Sequence, residues 1–448
     1  MMKDLPDNRV LNVLADQLGA DRKLCLALSG GLDSTVLLAA LVQLRDSTVP
    51  DIALRAIHVH HGLSTLADSW VAHCTECCQQ LNVPLTVIYV SVDGQHEGIE
   101  AAARAARYQA FSENLAPSES LLTAQHLNDQ CETLMLALKR GSGPAGLSAM
   151  AARAERSGYR LLRPFLSLSR EQLEQFASQA GLRWIEDDSN QDTRFDRNFL
   201  RLNVLPDLYQ RWPHFPEAVA RSAALCAEQE ALLDELMHES LIALTEVDGS
   251  LDISAMLSMS PVRRQAILRR WLSAQGARMP SRDQLLRIWD EVALSREDAS
   301  PQLQLNAMSV RRFRQRLYLL PAMTSLRDVI LPWDLTTELL LPERLGVLCF
   351  ERGENDPATV RLPRPDESVS VRFQAKGMIE KVGREHARHI KKLWQELNVP
   401  SWQRERTPLV YYNEQLIAAP GLFITRQALA ETNEPGGKIV WYQTSGEP

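Results

Sequence analysis

The sequence predicts an α/β protein in which a doubly wound, Rossmann-like parallel sheet is followed by a helical domain and a small α+β C-terminal domain. Apolar runs typical of buried strands alternate with helix-length stretches in the N-terminal part of the chain. Such alternation is typical of parallel sheets. Helical patterns dominate the middle, and from about residue 331 prolines and short strand-like runs replace them.

The bulk composition indicates a soluble protein of two or three domains. The chain has 448 residues, and 45% of them are hydrophobic, which is enough for several cores. Its seven cysteines are odd in number and scattered, unlike a disulfide framework. The N-terminus lacks the apolar core of a signal peptide, and no apolar run is long enough to span a bilayer. We therefore expect a cytoplasmic protein without a membrane partner.

The strand expected at residues 24–28 ends in a turn suited to binding phosphate. Two adjacent glycines let the backbone turn sharply and bring its amides close to a ligand. Hydroxyl groups flank them, and the helix expected at 35–44 presents free N–H groups in its first turn. The alternative is an ordinary strand–turn–helix unit with a serine cap. The turn consists of Ser29, Gly30, Gly31, Leu32, Asp33 and Ser34.

Asp33 is the unusual residue of this turn. A carboxylate repels phosphate unless a cation lies between them, so Asp33 indicates a magnesium-bound polyphosphate. The lysine-containing Gly-x-x-x-x-Gly-Lys pattern of other phosphate-binding loops is absent from the turn.

Three further strands are expected at 52–60, 85–92 and 120–125, with helices at 66–81, 97–115 and 129–138. Ligands of such sheets bind at the carboxyl ends of the strands. The fourth strand leads to His126, Asp129 and Glu132. The two carboxylates are one helical turn apart and face the same way, which suits magnesium or an amine. In isolation the same pattern would be a helix capping box.

Two arginine groups add positive charge to this part of the chain. Arg104, Arg107 and Tyr108 share one side of a predicted helix with Glu100. Arg197 and Arg201 share a face of a helix that follows a polar turn at 187–190. Arg104 and Arg107 are suited to binding phosphate bidentately, and Arg197 and Arg201 to phosphate or an RNA backbone. The alternatives are a solvated stripe paired with Glu100 for the first group and a solvated helix face for the second.

Basic segments occur further along the chain, although the formal net charge is −7. Residues 261–316 contain twelve arginines and five acids, and residues 361–406 contain eleven bases and six acids. Bases interleaved with aromatic residues are typical of RNA-binding surfaces, although solvated faces are the alternative. The RNA contacts expected in these segments are Arg263, Arg264, Arg269, Arg270, Arg388, Lys391, Lys392 and Trp394, the last four placed on or beside one helix.

These elements, in this order, resemble the tRNA(Ile)-lysidine synthetases, which belong to the PP-loop family of N-type ATP pyrophosphatases. In one respect the sequence differs from that family, which usually has two adjacent aspartates where Asn128 and Asp129 stand. The matching segments are SGGLDS (29–34), HVHHGL (58–63), EAAARAARY (100–108), HLNDQCET (126–133), KRGSGPAGL (139–147), DDSNQDTRFDRNFLR (187–201) and residues 388–423.

The resemblance implies a ligase that uses ATP and magnesium to join free L-lysine to the wobble cytidine of a minor isoleucine tRNA with a CAU anticodon. The cytidine is first adenylated at the oxygen on carbon 2. The lysine amine then displaces AMP, and codon specificity changes from AUG to AUA. The roles implied are catalysis by Asp33, Asp129, Glu132 and Arg197; ATP binding by residues 29–34 and His126; magnesium binding by Asp33 and Asp129; phosphate or substrate binding by Arg104, Arg107 and Tyr108; and tRNA binding by Arg201 and the basic residues of the later segments.

The expected domains are a catalytic PP-loop domain at 1–215, a helical tRNA-binding domain at 216–325 and an α+β tRNA-binding domain at 326–448. Whether the chain forms a homodimer is left open. Three other functions are alternatives: a tRNA thiolase, which would need a reactive Cys25 or Cys131; a small-molecule synthetase such as NAD synthetase; and an RNA-binding protein with an inactive nucleotide fold. The basic segments disfavour the second, and intact Ser29, Asp33, Ser34 and Asp129 disfavour the third.

Overall fold

The computed structural model describes residues 9–443 except 63, 65, 92–98, 157, 187, 297–298, 354–358, 385 and 431–434. The chain forms two compact units, Met1–Glu235 and Leu236–Pro448. Of the residues in the matching segments, positions 63 and 187 lie outside the described residues, as do the side chains of Glu100, Ala101, Asp188 and Ser189.

The strands of the first unit are β1 (Lys23–Ala27), β2 (Ala53–His60), β3 (Leu85–Tyr89), β4 (Ser120–Leu122), β5 (Arg153–Arg156) and β6 (Tyr159–Leu162). The helices that begin in this unit are α1 (Arg9–Leu18), α2 (Leu32–Ser47), α3 (Ala67–Gln80), α4 (Ile99–Asn114), α5 (Leu127–Lys139), α6 (Pro144–Leu147), α7 (Arg170–Gln179), α8 (Asp196–Phe199), α9 (Leu205–Arg211) and α10 (Phe215–Leu244). A π-helical segment, Leu200–Val204, lies between α8 and α9.

The six strands form one sheet in the order β3-β2-β1-β4-β6-β5. Neighbouring strands from β3 to β6 are parallel, and β5 runs antiparallel to β6 at the edge. The predicted doubly wound parallel sheet is therefore confirmed. The β5–β6 hairpin was not predicted, because its arginine-rich first strand at an edge carries no apolar run.

Alternate residues of the strands face opposite sides of this sheet. Leu24 and Leu26 of β1 pack in the core that includes α1, α2 and α7. Cys25, between them, packs in a second core with Phe111 of α4 and Leu121 of β4. The helix that follows the glycine pair and the helix that carries Arg104 therefore cover opposite faces.

Two helices begin earlier than their sequence patterns suggested. α2 begins at Leu32 and α5 at Leu127, whereas starts at 35 and 129 were expected. Asp33 and Asp129 consequently lie within first helical turns, where backbone N–H groups point outwards and negative charge is stabilised.

The second unit is built on antiparallel sheets. Their strand orders are β7-β10-β9-β8, β11-β15-β18-β19-β20, β12-β13-β21-β14 and β16-β17. The strands are β7 (Leu251–Asp252), β8 (Gln302–Leu305), β9 (Met308–Phe313), β10 (Arg316–Pro321), β11 (Ile330–Pro332), β12 (Leu339–Leu340), β13 (Val347–Arg352), β14 (Val360–Arg361), β15 (Val369–Arg372), β16 (Met378–Ile379), β17 (Arg388–His389), β18 (Leu409–Tyr412), β19 (Gln415–Ala419), β20 (Phe423–Ile424) and β21 (Gly436–Tyr442). The helices are α11 (Pro261–Ala274), α12 (Arg282–Arg287), α13 (Ile390–Glu396) and α14 (Ser401–Arg404), and a π-helical segment, Ile288–Ala293, follows α12.

The helices expected in the middle of the chain are present and pack on a sheet that was not predicted. Trp271 of α11 and Leu285 of α12 share a core with Val310 and Leu317 of the β9–β10 hairpin. The C-terminal part combines sheets with two short helices, as the α+β prediction required. Across the described residues, no helix has both the length and the apolarity that a membrane crossing needs.

Candidate active site

The turn after β1 requires glycine at position 30. Gly30 has a φ of +86°, in the left-handed region that L-residues rarely adopt. A Cβ there would lie 2.9 Å from Cδ1 of Ile185 and 3.0 Å from Sγ of Cys74. The carbonyl of Gly30 accepts a hydrogen bond from the backbone N–H of Ile185 at 2.9 Å. The backbone is thus fixed at Gly30, and the next amide, the N–H of Gly31, donates to Oγ of Ser29 at 3.4 Å.

Hydroxyl groups brace this turn internally. Oγ of Ser29 and Oγ of Ser34 are 3.0 Å apart, and Ser34 donates to the carbonyl of Gly31 at 3.0 Å. Among the described residues no side chain caps the start of α2, where Gly31 is the N-cap. The first N–H groups of α2 are therefore available to an anion, as in other phosphate sites at helix N-termini.

Asp33 points from this first turn towards two cationic or potentially cationic groups. Arg170 of α7 donates from Nη1 to both carboxylate oxygens of Asp33, at 2.9 Å each. Nε2 of His126 lies 3.8 Å from Oδ2 of Asp33. Burial raises the pKa of Asp33 above its ordinary value, against the opposing effects of His126 and Arg170.

Arg170 is the functional residue that sequence reasoning missed. Its backbone N–H donates to Oδ1 of Asn128 at 3.0 Å, and its Nε donates to Glu174 at 2.9 Å. Ser169 caps the start of α7 in a capping box with Gln172. No sequence pattern indicated that the residue after the cap would reach the turn after β1.

Asp129 and His126 stand at the start of α5, beside Asp33. The backbone N–H of His126 donates to Oδ2 of Asp129 at 3.0 Å, and Nε2 of His126 lies 3.5 Å from the same oxygen. Burial would raise the pKa of Asp129, but His126, Arg197 and Arg201 lower it below its ordinary value. Asp129 is therefore a buried carboxylate that stays ionised.

Glu132, one turn further along α5, is held by two arginines. Nε and Nη2 of Arg201 donate to its two oxygens at 2.6 and 3.0 Å, and Nε of Arg197 lies 3.2 Å from Oε2. Nη2 of Arg201 also donates to Asp129 at 3.2 Å. The Glu132 side chain is only 1% exposed. Burial raises its pKa, with the hydrogen bond from Arg201 opposing the rise.

The donor set around His126 fits a magnesium ion that is shared with phosphate groups. Asp33 and Asp129 both direct an oxygen towards Nε2 of His126, so two hard oxygen donors face one region. Within the described part of the chain, no group of three or more His, Cys, Asp or Glu side chains is arranged to hold a metal. Magnesium is commonly bound by one or two carboxylates plus substrate phosphates and water, which matches such a set.

Comparison with known proteins shows the family to which the chain belongs. Curated relatives described as tRNA(Ile)-lysidine synthase align with nearly the whole chain. The relative from Pectobacterium atrosepticum is 57% identical over 437 residues, covering 97% of this chain and 98% of its own. The relative from Serratia proteamaculans is 58% identical, with 97% and 99% covered. The chain belongs to the tRNA(Ile)-lysidine synthase family.

Three family models match successive parts of the chain. A PP-loop domain matches residues 4–208, a TilS substrate binding domain matches 251–318, and a TilS substrate C-terminal domain matches 369–441. Among solved structures, the U34-tRNA thiolase NcsA from Methanococcus maripaludis has a TM-score of 0.42 and 14% identity, covering 49% of this chain and 78% of that one. As a member of the tRNA(Ile)-lysidine synthase family, the protein is an ATP-using ligase with a PP-loop.

The cysteines of this tRNA(Ile)-lysidine synthase family member do not suit thiolase chemistry. Cys25 and Cys131 are both fully buried. Burial raises the pKa of Cys25 to about 12 and that of Cys131 to about 11. Because the thiolate is the nucleophile, thiols with such pKa values are unreactive near neutral pH.

The arginines predicted on α4 lie on the sheet face opposite α2. Cζ of Arg104 is 5.3 Å from the centre of the Tyr108 ring. Arg107 is near His61, whose pKa is lowered mainly by burial and further by this arginine. Arg107 thus lies towards the carboxyl end of β2. The roles of Arg104, Arg107 and Tyr108 in the tRNA(Ile)-lysidine synthase reaction stay predictions.

The predicted RNA contacts of the second unit fall into two groups. Arg263, Arg388, Lys391 and Lys392 are exposed. Arg264, Arg269 and Arg270 are half-buried, and Cζ of Arg264 lies 4.4 Å from the ring centre of Trp289.

Two details of the expected basic helix are corrected. Arg388 lies in β17, because α13 begins only at Ile390. Trp394 is 6% exposed and packs 6.1 Å from Phe423, ring centre to ring centre, in a hydrophobic core. Its ring is therefore not presented for stacking on a base.

Proposed function

We propose that this chain joins free L-lysine to carbon 2 of the wobble cytidine in the CAU anticodon of a minor tRNA(Ile), using ATP. The observation that carries the proposal is the position of Asp33, whose oxygen and that of Asp129 lie 3.8 and 3.5 Å from the same His126 nitrogen. The phosphate-binding turn and the acidic cluster of α5 are thereby brought together in one site. Membership of the tRNA(Ile)-lysidine synthase family supplies the substrates.

In the first step the oxygen on carbon 2 of cytidine attacks the α-phosphorus of ATP. A new oxygen–phosphorus bond forms, the bond to the β-phosphate oxygen breaks, and pyrophosphate leaves. The free N–H groups of α2 and the hydroxyls of Ser29 and Ser34 hold the phosphates, while Arg107 and Arg197 stabilise charge on the α-phosphate.

Magnesium, when bound, neutralises charge on the triphosphate. Asp33 and Asp129 are the residues that would hold it, and Arg170 fixes the orientation of the Asp33 carboxylate through the two 2.9 Å hydrogen bonds from its Nη1. Asn128 contributes through Arg170 rather than through the metal, because its Oδ1 accepts the backbone N–H of Arg170.

In the second step the ε-amine of lysine attacks carbon 2 of the adenylated base and AMP leaves. The amine must be neutral to attack, so it needs a proton acceptor nearby. The pKa values of the two α5 carboxyls are displaced in opposite directions, downwards for Asp129 and upwards for Glu132. Asp129, the more accessible and ionised carboxylate, therefore orients the amine and takes its proton, whereas Glu132 is 1% exposed and holds Arg197 and Arg201 in place.

Catalysis and tRNA binding are assigned to different parts of the chain. Residues 1–215 are the catalytic domain, and 216–325 and 326–448 bind the tRNA. The exposed bases of the last two segments contact the RNA backbone, and the reaction takes place in the cytoplasm, where free lysine, ATP and tRNA are available together.

The test is incorporation of labelled lysine into a CAU-anticodon isoleucine tRNA in the presence of ATP and magnesium. We expect one AMP and one pyrophosphate per lysine incorporated, and no incorporation without ATP. A matched tRNA with the wobble cytidine replaced by uridine is the control, and it should accept no lysine. If the folded protein consumes ATP without labelling the CAU tRNA, the proposed substrate is wrong.

A further inference from the structure

A cationic cluster surrounds Tyr108 on the α4 face of the first sheet. Cζ of Arg156, from β5, lies 4.5 Å from the Tyr108 ring centre, and Cζ of Arg104 lies 5.3 Å from it. Arg163 follows β6 and is near enough for the Tyr108 hydroxyl to affect its pKa. We call these four residues, Arg104, Tyr108, Arg156 and Arg163, the Tyr108 cluster.

Arg163 is the buried member of the Tyr108 cluster. It is 6% exposed, and its Nη1 donates to the carbonyl of Ala151 at 2.7 Å. Its Nε is buried and has no hydrogen-bond partner among the described residues. Burial lowers the pKa of Arg163, Tyr108 opposes this through its charge and a hydrogen bond, and the like charges of Arg156 and Arg104 lower it by a smaller amount. A buried guanidinium beside two other cations is unfavourable unless an anion completes the group.

The β5–β6 hairpin offers an internal contrast. Arg153 and Arg160 of the same hairpin pair with Asp21 at 2.9 and 2.8 Å. Over the part of the chain that the structure describes, none of the three arginines of the Tyr108 cluster contacts a carboxylate. Two arginines of the hairpin thus pair with Asp21, whereas Arg156 lies beside Arg104 and Arg163 with no carboxylate contact among the described side chains, which do not include Glu100.

We propose that the Tyr108 cluster binds a backbone phosphate of the RNA substrate, an inference that rests on the proposed function. The phosphate-binding turn leads into α2, whereas the cluster lies with α4 on the opposite face of the sheet, so we assign it a phosphate other than those held by the turn. Arg104 and Arg156 are exposed and accessible to a polymer from outside. Both guanidinium groups lie against the Tyr108 ring, which therefore supports them and is not left to stack on a base. The contact is to the sugar–phosphate chain and carries no sequence information.

The experiment measures tRNA affinity against salt concentration, without ATP or lysine, for the full chain and three variants. Arg104→Gln and Arg156→Gln change exposed side chains and should leave thermal unfolding unchanged. Each should weaken binding several-fold and reduce the slope of log K against log salt by about 1, as expected for one lost phosphate contact. Arg160→Gln is the matched control, since it removes the same charge from the same hairpin where Asp21 already pairs with it.

The outcomes separate the possibilities. An unchanged salt slope in both cluster variants, or an equal loss in the Arg160→Gln control, overturns the phosphate contact. A normal tRNA slope with ATP affinity lowered several-fold by calorimetry would assign the cluster to the nucleotide instead, and would also overturn it. Because these are binding measurements, failure of lysine incorporation in the wild-type chain would count against the proposed function alone.

Discussion

Cationic side chains at the candidate active site of the first unit and around α13 of the second unit have opposite surroundings. In the first unit Arg170, Arg197 and Arg201 each lie within 3.2 Å of a carboxylate of the candidate active site. In the second unit Lys391 and Lys392 are exposed. The charged neighbour recorded for Arg388 there is Glu396, with Nε and Oε1 4.0 Å apart.

This difference in surroundings indicates that positive side chains have two different roles in the protein. A buried carboxylate must be paired, because an isolated charge away from water is costly, and the paired arginine then fixes its position. An exposed cation keeps its hydration and contributes little to stability, but it can release counterions from a nucleic acid backbone. Composition counts both kinds alike, so only the structure separates paired cationic side chains from exposed ones.

The strongest test of the first kind removes the charge of Asp33. Asp33→Asn keeps a group that can accept from Arg170 but loses the carboxylate that faces His126. We expect lysine incorporation to fall on the order of 10²–10³-fold, with thermal unfolding nearly unchanged. The measurement is the initial rate with labelled lysine at saturating ATP. A variant that retains more than a tenth of the wild-type rate would mean that Asp33 is not part of the phosphate site.

Glu132→Gln tests whether the paired arginines of the first unit depend on a buried charge. Arg197 and Arg201 would lose the charge of Glu132, which is 1% exposed, although Arg201 keeps its hydrogen bond to Asp129. We expect the first unit to lose about 3–5 kcal/mol of unfolding free energy, the usual cost of breaking a buried pair. Urea unfolding followed by tryptophan fluorescence measures it.

Glu174→Gln is the control for that loss. It removes the charge of Glu174, the other acidic partner of Arg170. Because the Glu174 side chain is 53% exposed, the unfolding free energy should change by no more than about 1 kcal/mol. Equal losses in the two variants would remove the distinction between buried and exposed pairs.

Alanine substitutions in the glycine pair test whether the backbone of the turn after β1 is fixed as tightly as the paired side chains of the site. Gly30→Ala places a Cβ at φ +86° and 2.9 Å from Ile185, which should cost at least about 1–3 kcal/mol. Gly31→Ala meets its nearest neighbour, Oγ of Ser29, at 3.6 Å, so its unfolding free energy should change by less than about 0.5 kcal/mol. Thermal melts of both variants check this, and similar losses would contradict the assigned turn conformation.

The exposed cations of the second unit should behave in the opposite way. Lys391→Gln and Lys392→Gln are expected to leave the unfolding free energy within about 0.5 kcal/mol of wild type. Each should raise the KM for tRNA a few-fold and lower the salt slope of binding by about 1, with kcat unchanged. A loss of stability with an unchanged tRNA KM would show that these lysines serve the fold instead.

The sequence predicted the parallel sheet because strands buried on both faces are apolar runs, as at Leu24 to Leu26. It did not predict β9, where Arg311 and Arg312 interrupt the apolar pattern, or the edge strand β5. Edge and arginine-rich strands acquire their structure from pairing partners, which periodicity in one segment does not reveal.

The same limit applies to the candidate site. Asp33, Asp129 and Glu132 could be predicted because carboxylates beside a glycine turn or at a strand end have few structural explanations. Arg170 could not, since its contact with Asp33 spans 137 residues of sequence. The burial of Trp394 was equally hidden, because an aromatic residue among lysines fits both an RNA surface and a core.

The smallest effect is expected at Asn128, where the family usually has aspartate. Its Oδ1 accepts the backbone N–H of Arg170 at the start of α7. An aspartate would accept the same hydrogen bond and add a negative charge at a helix N-terminus, worth about 0.3–1 kcal/mol. Asn128→Asp should therefore raise stability slightly and leave the magnesium concentration for half-maximal lysine incorporation unchanged.

Asn128→Ala completes this comparison by removing the acceptor altogether. We expect it to cost about 1 kcal/mol, as loss of a helix cap does, and to lower kcat through misplacement of Arg170. Both variants are compared with wild type by magnesium titration and thermal unfolding. If Asn128→Asp lowered the magnesium requirement several-fold, position 128 would be a magnesium ligand together with Asp33 and Asp129. Its role would then not be limited to the hydrogen bond with Arg170.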